Sequence, residues 1–183
     1  MDFMKRVAKA GVKAGVALGK SISKYYYELE ESDDSYKKGY AFELYAVSLF
    51  HEDKFLCQHH TPKSDDLNGR RIESKLYPDF KFKHLRSGHE FWVECKWRDD
   101  CQDDSKLPWS YTEQLQRYRE FQAEEGFRKV WVVIGLGGEP SMPERMFRMR
   151  LDVIQSVAPQ INWFKKYERN PKEQFDCRSG RLI

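Results

Sequence analysis

Three consecutive stretches decide the fold: Tyr77-Pro78-Asp79-Phe80-Lys81-Phe82-Lys83-His84-Leu85, then Arg86-Ser87-Gly88-His89, then Phe91-Trp92-Val93-Glu94-Cys95-Lys96-Trp97. The outer two are rich in aromatic and β-branched residues, and the middle one carries turn residues, so the whole reads as a β-hairpin. Pro78 lacks an N–H and fits a strand start or a bulge rather than the middle of a ladder. On the second strand, side chains alternate between faces. Glu94 and Lys96 therefore share one face, and Val93, Cys95 and Trp97 take the other.

Outward from the hairpin the pattern stays orderly. Upstream, Phe42, Tyr45, Ala46, Leu49 and Phe50 recur at helical spacing and predict an amphipathic helix over Tyr40–Phe50, followed by a short strand over Lys54–His60. Downstream, Ser110-Tyr111-Thr112-Glu113 has the spacing of a capping box, and a helix should run from there to about Glu125, with Gly126 ending it. Lys129–Leu136 is a near-continuous apolar run, as expected of a strand buried on both faces. Gly135-Leu136-Gly137-Gly138 should then break the chain. Residues 139–183 are less legible, and Phe147–Ile154 suits either a strand or a helix start. The order helix, strand, hairpin, helix, strand implies an α/β domain with a central mixed β-sheet flanked by helices.

The chemistry falls on the hairpin. Glu94 and Lys96 emerge side by side from an otherwise apolar strand, next to Asp79 on its neighbour. Two carboxylates converging on one point repel unless a cation lies between them, and hard oxygen donors select Mg²⁺ or Mn²⁺ over zinc. A lysine beside such an ion can orient a water and help deprotonate it. The other reading makes Glu94–Lys96 a same-face ion pair and Asp79 a turn residue. Gln114 and Tyr118, four apart, share a helix face and can both point at the site; read by themselves they are a polar surface position and a core-edge tyrosine.

Pro78-Asp79 followed by Glu94-Cys95-Lys96 on paired strands resembles the signature of the PD-(D/E)xK nuclease superfamily, whose core is restriction endonuclease-like. Gly39-Tyr40-Ala41-Phe42-Glu43 is similar to its first core helix, which often supplies an acidic ligand, here Glu43. Gln114-Leu115-Gln116-Arg117-Tyr118 matches the QxxxY pattern of its RecB-like branch; Mrr-like restriction enzymes are among its relatives. The likeness covers roughly residues 39–136, with its elements in the superfamily's order. It implies a phosphodiesterase acting on nucleic acid, DNA first, in repair, recombination or restriction. Asp79, Glu94, the Cys95 backbone carbonyl and Glu43 would hold one or two Mg²⁺ (or Mn²⁺) ions. Lys96 would position the attacking water and offset charge in the transition state, and Gln114 and Tyr118 would hold the phosphate or the lysine. A catalytically silent nucleic-acid- or protein-binding module of the same fold is the alternative.

Composition sets bounds on these readings. The 183 residues carry 40% hydrophobic, 15% aromatic and 33% charged residues, enough for a core under an ionic surface and too apolar for general disorder. A net charge of +3 permits nucleic-acid binding without demanding it. Cys57, Cys95, Cys101 and Cys177 form no CxxC pair, and the expectation is four reduced thiols in a cytoplasmic protein. No apolar run approaches the roughly 20 residues of a spanning helix.

Residues 1–35 differ from the domain expected over 36–183. Lys5, Arg6, Lys9, Lys13, Lys20 and Lys24 line one side of a hypothetical helix, while Gly11, Gly15 and Gly19 recur every four residues. A helical extension packed on its own domain or on a second protomer is the first reading, with a protein partner or self-association through it; a basic arm for DNA and a membrane-surface helix are the others. An acidic linker, Glu28 to Asp34, follows. His59 and His60 should point to opposite faces of their strand and so cannot form one metal pair. Asp99 to Asp104 lacks the spacing and glycine of an EF-hand loop. Arg70, Arg71, Lys81, Lys83, His84 and Arg86 are candidate phosphate contacts.

Overall fold

The computed structural model describes residues 34–61, 77–101, 105–124, 129–178 and 181–182. The basic N-terminal extension, most of the acidic linker, Arg70-Arg71 and the end of the Asp99–Asp104 run lie outside them.

A helix, α1 (Asp34–Ser48), leads into β1 (Phe55–His60), and the hairpin strands are β2 (Phe80–His84) and β3 (Glu90–Arg98). Helix α2 (Thr112–Glu124) connects β3 to β4 (Val130–Glu139), which turns back into β5 (Met142–Arg150). A short helix α3 (Ile161–Phe164) and β6 (Glu168–Arg169) follow, and β7 (Cys177–Arg178) and β8 (Arg181–Leu182) make a separate small ribbon.

The first six strands form one mixed sheet in chain order. Its pairs are antiparallel except for β3 and β4, which run parallel with Glu94 opposite Val132 and Lys96 opposite Ile134. A parallel pair needs a crossover, and α2 supplies it. The chain is thus α/β, with helices on both faces of the sheet. Tyr40, Phe42, Ala46 and Val47 of α1 pack with Val93, Cys95 and Trp97 on one face. Leu115, Tyr118 and Phe121 of α2 pack with Trp92, Val132 and Ile134 on the other. The expected alternation along β3 holds, and β4 is buried on both sides.

Several boundaries differ from expectation. Helix α1 starts at Asp34, inside the stretch read as a linker, where Asp34 pairs with Lys38 one turn on, a favourable i,i+4 arrangement. Strand β2 begins after Asp79, so the carboxylate sits at the strand's mouth. Strand β4 does not break at its glycines but runs on to Glu139. Gly135 is required there because a Cβ would come within 2.4 Å of the Phe42 ring. Gly137 and Gly138 have φ of 69° and 65°, an irregularity only glycine adopts freely, while β4 still pairs with β5 as far as Glu139 and Met142. Phe147 belongs to a strand, and a 3-10 turn over Leu151–Val153 follows. The hairpin turn is as expected, with Gly88 at φ 70° and the Gly88 N–H bonded to the His84 carbonyl at 2.8 Å.

Candidate active site

The Asp79 carboxylate sits just ahead of β2, where the backbone has not yet entered the ladder. Its Oδ2 accepts the Cys95 N–H at 2.7 Å, extending the β2–β3 pairing with a side chain. Cys95 therefore meets the site through its backbone, and its thiol faces the α1 side of the core. Glu94, 1% exposed, projects from β3 toward α2, and the Lys96 Nζ lies 2.5 Å from its Oε1.

Helix α2 closes the site from above. The Ser110 hydroxyl donates to Gln114 Oε1 at 2.7 Å, and Gln114 Nε2 donates to the Tyr118 oxygen at 2.9 Å. Glu94 acts on the Tyr118 hydroxyl electrostatically and helps hold its proton. The donor order is thus fixed from Ser110 to Gln114 and from Gln114 to Tyr118. The expected capping box does not form: the Ser110 side chain serves Gln114 and not the helix N-terminus. On the α1 side, Glu43 is 1% exposed, yet it borders an open cavity of about 550 Å³ together with Lys38, Lys96 and Arg98.

Burial holds the Glu94 carboxyl above the ordinary carboxylate range, and the charge of Asp79 adds to the effect. Burial also works against the Lys96 ammonium, but the charges of Glu94 and Asp79 outweigh it and raise its pKa. Lys96 is thus a firmly held cation between two acids. Tyr118 stays protonated, its pKa driven up by burial and then by Glu94 and Asp79, so it acts as a donor.

Of the residues expected at the site, Asp79, Glu94, Cys95, Lys96, Gln114 and Tyr118 come together, while Glu43 lies on the opposite helix and shares a cavity with Cys95 and Lys96 only. Among the described residues no three His, Cys, Asp or Glu side chains form a ready-made metal group. The donor set nonetheless suits a hard divalent ion: two carboxylates share one buried locus and a single lysine offsets them.

His59 and His60 do face opposite ways, His59 toward Trp92 and His60 against Phe80, with ring centroids 5.5 and 4.7 Å apart. Lys81 pairs with Glu90 and sits over Trp92. The four cysteines are free thiols. No described helix is long and apolar enough to cross a membrane. Sequence reasoning passed over Arg98, although the Glu94–Lys96 alternation leads straight to it, and Ser110, whose role depends on the helix starting two residues later.

No family model and no curated protein matches this chain.

Proposed function

We propose that the chain is a metal-dependent nuclease with a restriction endonuclease-like core of the PD-(D/E)xK kind, hydrolysing phosphodiester bonds, DNA first. One observation carries the reading: the buried Asp79 and Glu94 carboxylates meet at Lys96 on the central strand, with Tyr118 and Gln114 bonded into the same cluster. The element order supports it, since a helix, a three-strand meander and a crossover helix lead to a fourth strand parallel to the third.

The chain's own groups divide the work. Asp79 and Glu94, with the Cys95 carbonyl and Glu43 alongside, would hold Mg²⁺ or Mn²⁺, which when bound polarises the phosphate and acidifies water. Lys96 positions the nucleophilic water and offsets charge building on the phosphate oxygens. Gln114 holds the Tyr118 hydroxyl in place beside the buried Glu94 carboxylate.

The second reading is a silent binding module of the same fold. It is favoured by the direct Lys96–Glu94 ion pair, which occupies one carboxylate oxygen.

Incubating circular and linear DNA with the protein in Mg²⁺, Mn²⁺ or EDTA, beside Lys96→Ala, separates the two. Cutting that needs metal and falls at least about a hundredfold in Lys96→Ala is expected. Folded protein that binds DNA but never cuts it would favour the binding module, and activity undiminished in Lys96→Ala would end the proposed role of that lysine.

A further inference from the structure

Arg98 continues the row begun by Glu94 and Lys96. Positions two apart on a strand share a face and lie about 6.7 Å apart. Arg98 borders the same cavity as Lys96. Its guanidinium is held rigidly: Nε donates to the Pro108 carbonyl at 2.6 Å, Nη1 to Trp97 and Nη2 to Trp109, both at 2.7 Å. A guanidinium has five N–H donors, and these three carbonyls take three of them. The nearest carboxylate along the chain, Asp99, is taken by Lys38 at 3.5 Å.

The backbone that Arg98 grips leads directly to Tyr111, which is 76% exposed and the most exposed large apolar side chain described. Its carbonyl is fixed by the Leu115 N–H at 3.0 Å at the start of α2, so the ring is presented from a rigid base. The Arg98 bond to the Trp109 carbonyl fixes the guanidinium two residues before Tyr111 in the chain. An exposed aromatic beside a fixed cation suits a nucleotide whose base is free to stack, whereas a base inside a duplex offers no open face.

We propose that Arg98 and Tyr111 form a binding site for an unpaired nucleotide next to the scissile phosphate, Arg98 taking the phosphate and Tyr111 the base, so that the substrate is single-stranded or frayed. This rests on the nuclease reading and adds its substrate class.

Removing Arg98 would also strand three backbone carbonyls, so Tyr111 is the residue to vary; at its exposure, substitution leaves the fold alone. The experiment measures affinity for fluorescent oligothymidylate, and for the same strand annealed to oligodeoxyadenylate, in Ca²⁺. Wild type, Tyr111→Ala and Tyr111→Phe are compared. Tyr111→Ala should lower the ratio of single-strand to duplex affinity by about 5- to 150-fold, and Tyr111→Phe should restore it. An unchanged ratio, with DNA still cut in Mg²⁺, overturns the stacking site and leaves the nuclease standing. Absence of both binding and cutting overturns the two together.

Discussion

His60 illustrates how one side chain's surroundings set a measurable property. Its ring stacks on Phe80 at an interplanar angle of 9°, with Tyr40 on the α1 side. Burial lowers its pKa from 6.5 to about 4, and His59 acts in the same sense while the Asp79 charge opposes both. The unfolded chain takes up this proton near pH 6.5 and the folded one only near 4. The neutral ring's contribution is therefore complete above pH 6.5 and is lost as pH falls from 6.5 to 4, by at most about 3 kcal/mol. Denaturant unfolding of the native protein and His60→Phe should give curves that lie close together above pH 6.5 and separate as pH falls toward 4, the native protein losing stability that Phe, which keeps the stack without the proton, retains. Parallel curves would refute the assignment. The acidic cluster at Glu94 was legible as residues because alternation on a strand is strict. The Ser110–Gln114–Tyr118 relay was not, because which partner a hydroxyl chooses depends on where the helix begins, and propensity fixes that only to within a residue or two.

At the scale of elements, the packing of α1 on the sheet turns on one close approach. Phe42 lies flat enough over β4 that Gly135 has no room for a methyl group. Gly135→Ala should cost about 1–3 kcal/mol by overpacking, and Phe42→Leu in the same chain should recover part of it. Thermal melts of the two single variants and the double test this, and strict additivity would show that the two sites do not touch. The same contact explains a misread boundary. A glycine-rich run ordinarily signals a chain break, yet here Gly135 serves a neighbouring helix and Gly137 and Gly138 an irregularity, while ladder pairing goes on past all three. Sequence periodicity sees the strand's own residues and cannot see a ring arriving from about ninety residues away. The hairpin, by contrast, was legible because its turn chemistry and its alternation are local. Strand β5 was ambiguous for the opposite reason: Met146, Phe147, Arg148 and Met149 are all buried, so it shows no alternation.

Across the whole molecule, strand β3 links the two helix-covered faces: the Cys95 N–H bonds Asp79, Lys96 borders a cavity with Glu43 on the α1 side, and Gln114 and Tyr118 approach from the α2 side. A ligand bound there couples both halves of the core, and any group that binds only the folded chain stabilises it by mass action. Under the proposed function, Mg²⁺ or Mn²⁺ at ten times its dissociation constant should stabilise the protein by about 1.4 kcal/mol. Glu94→Gln should abolish that gain, and scanning calorimetry with and without the ion reads it independently of cleavage. A melting point indifferent to either ion would argue against a resident metal.

The bond from the Cys95 N–H to Asp79 has a spectroscopic consequence. Most amides in the middle of a sheet report on a neighbouring backbone, but this one reports on a carboxylate. Its proton resonance and its exchange with deuterated solvent therefore register the charge on Asp79 directly. The centre of the sheet thus contains its own isotopic probe, one that follows occupancy of the acidic cluster without a label, a substrate or a turnover event.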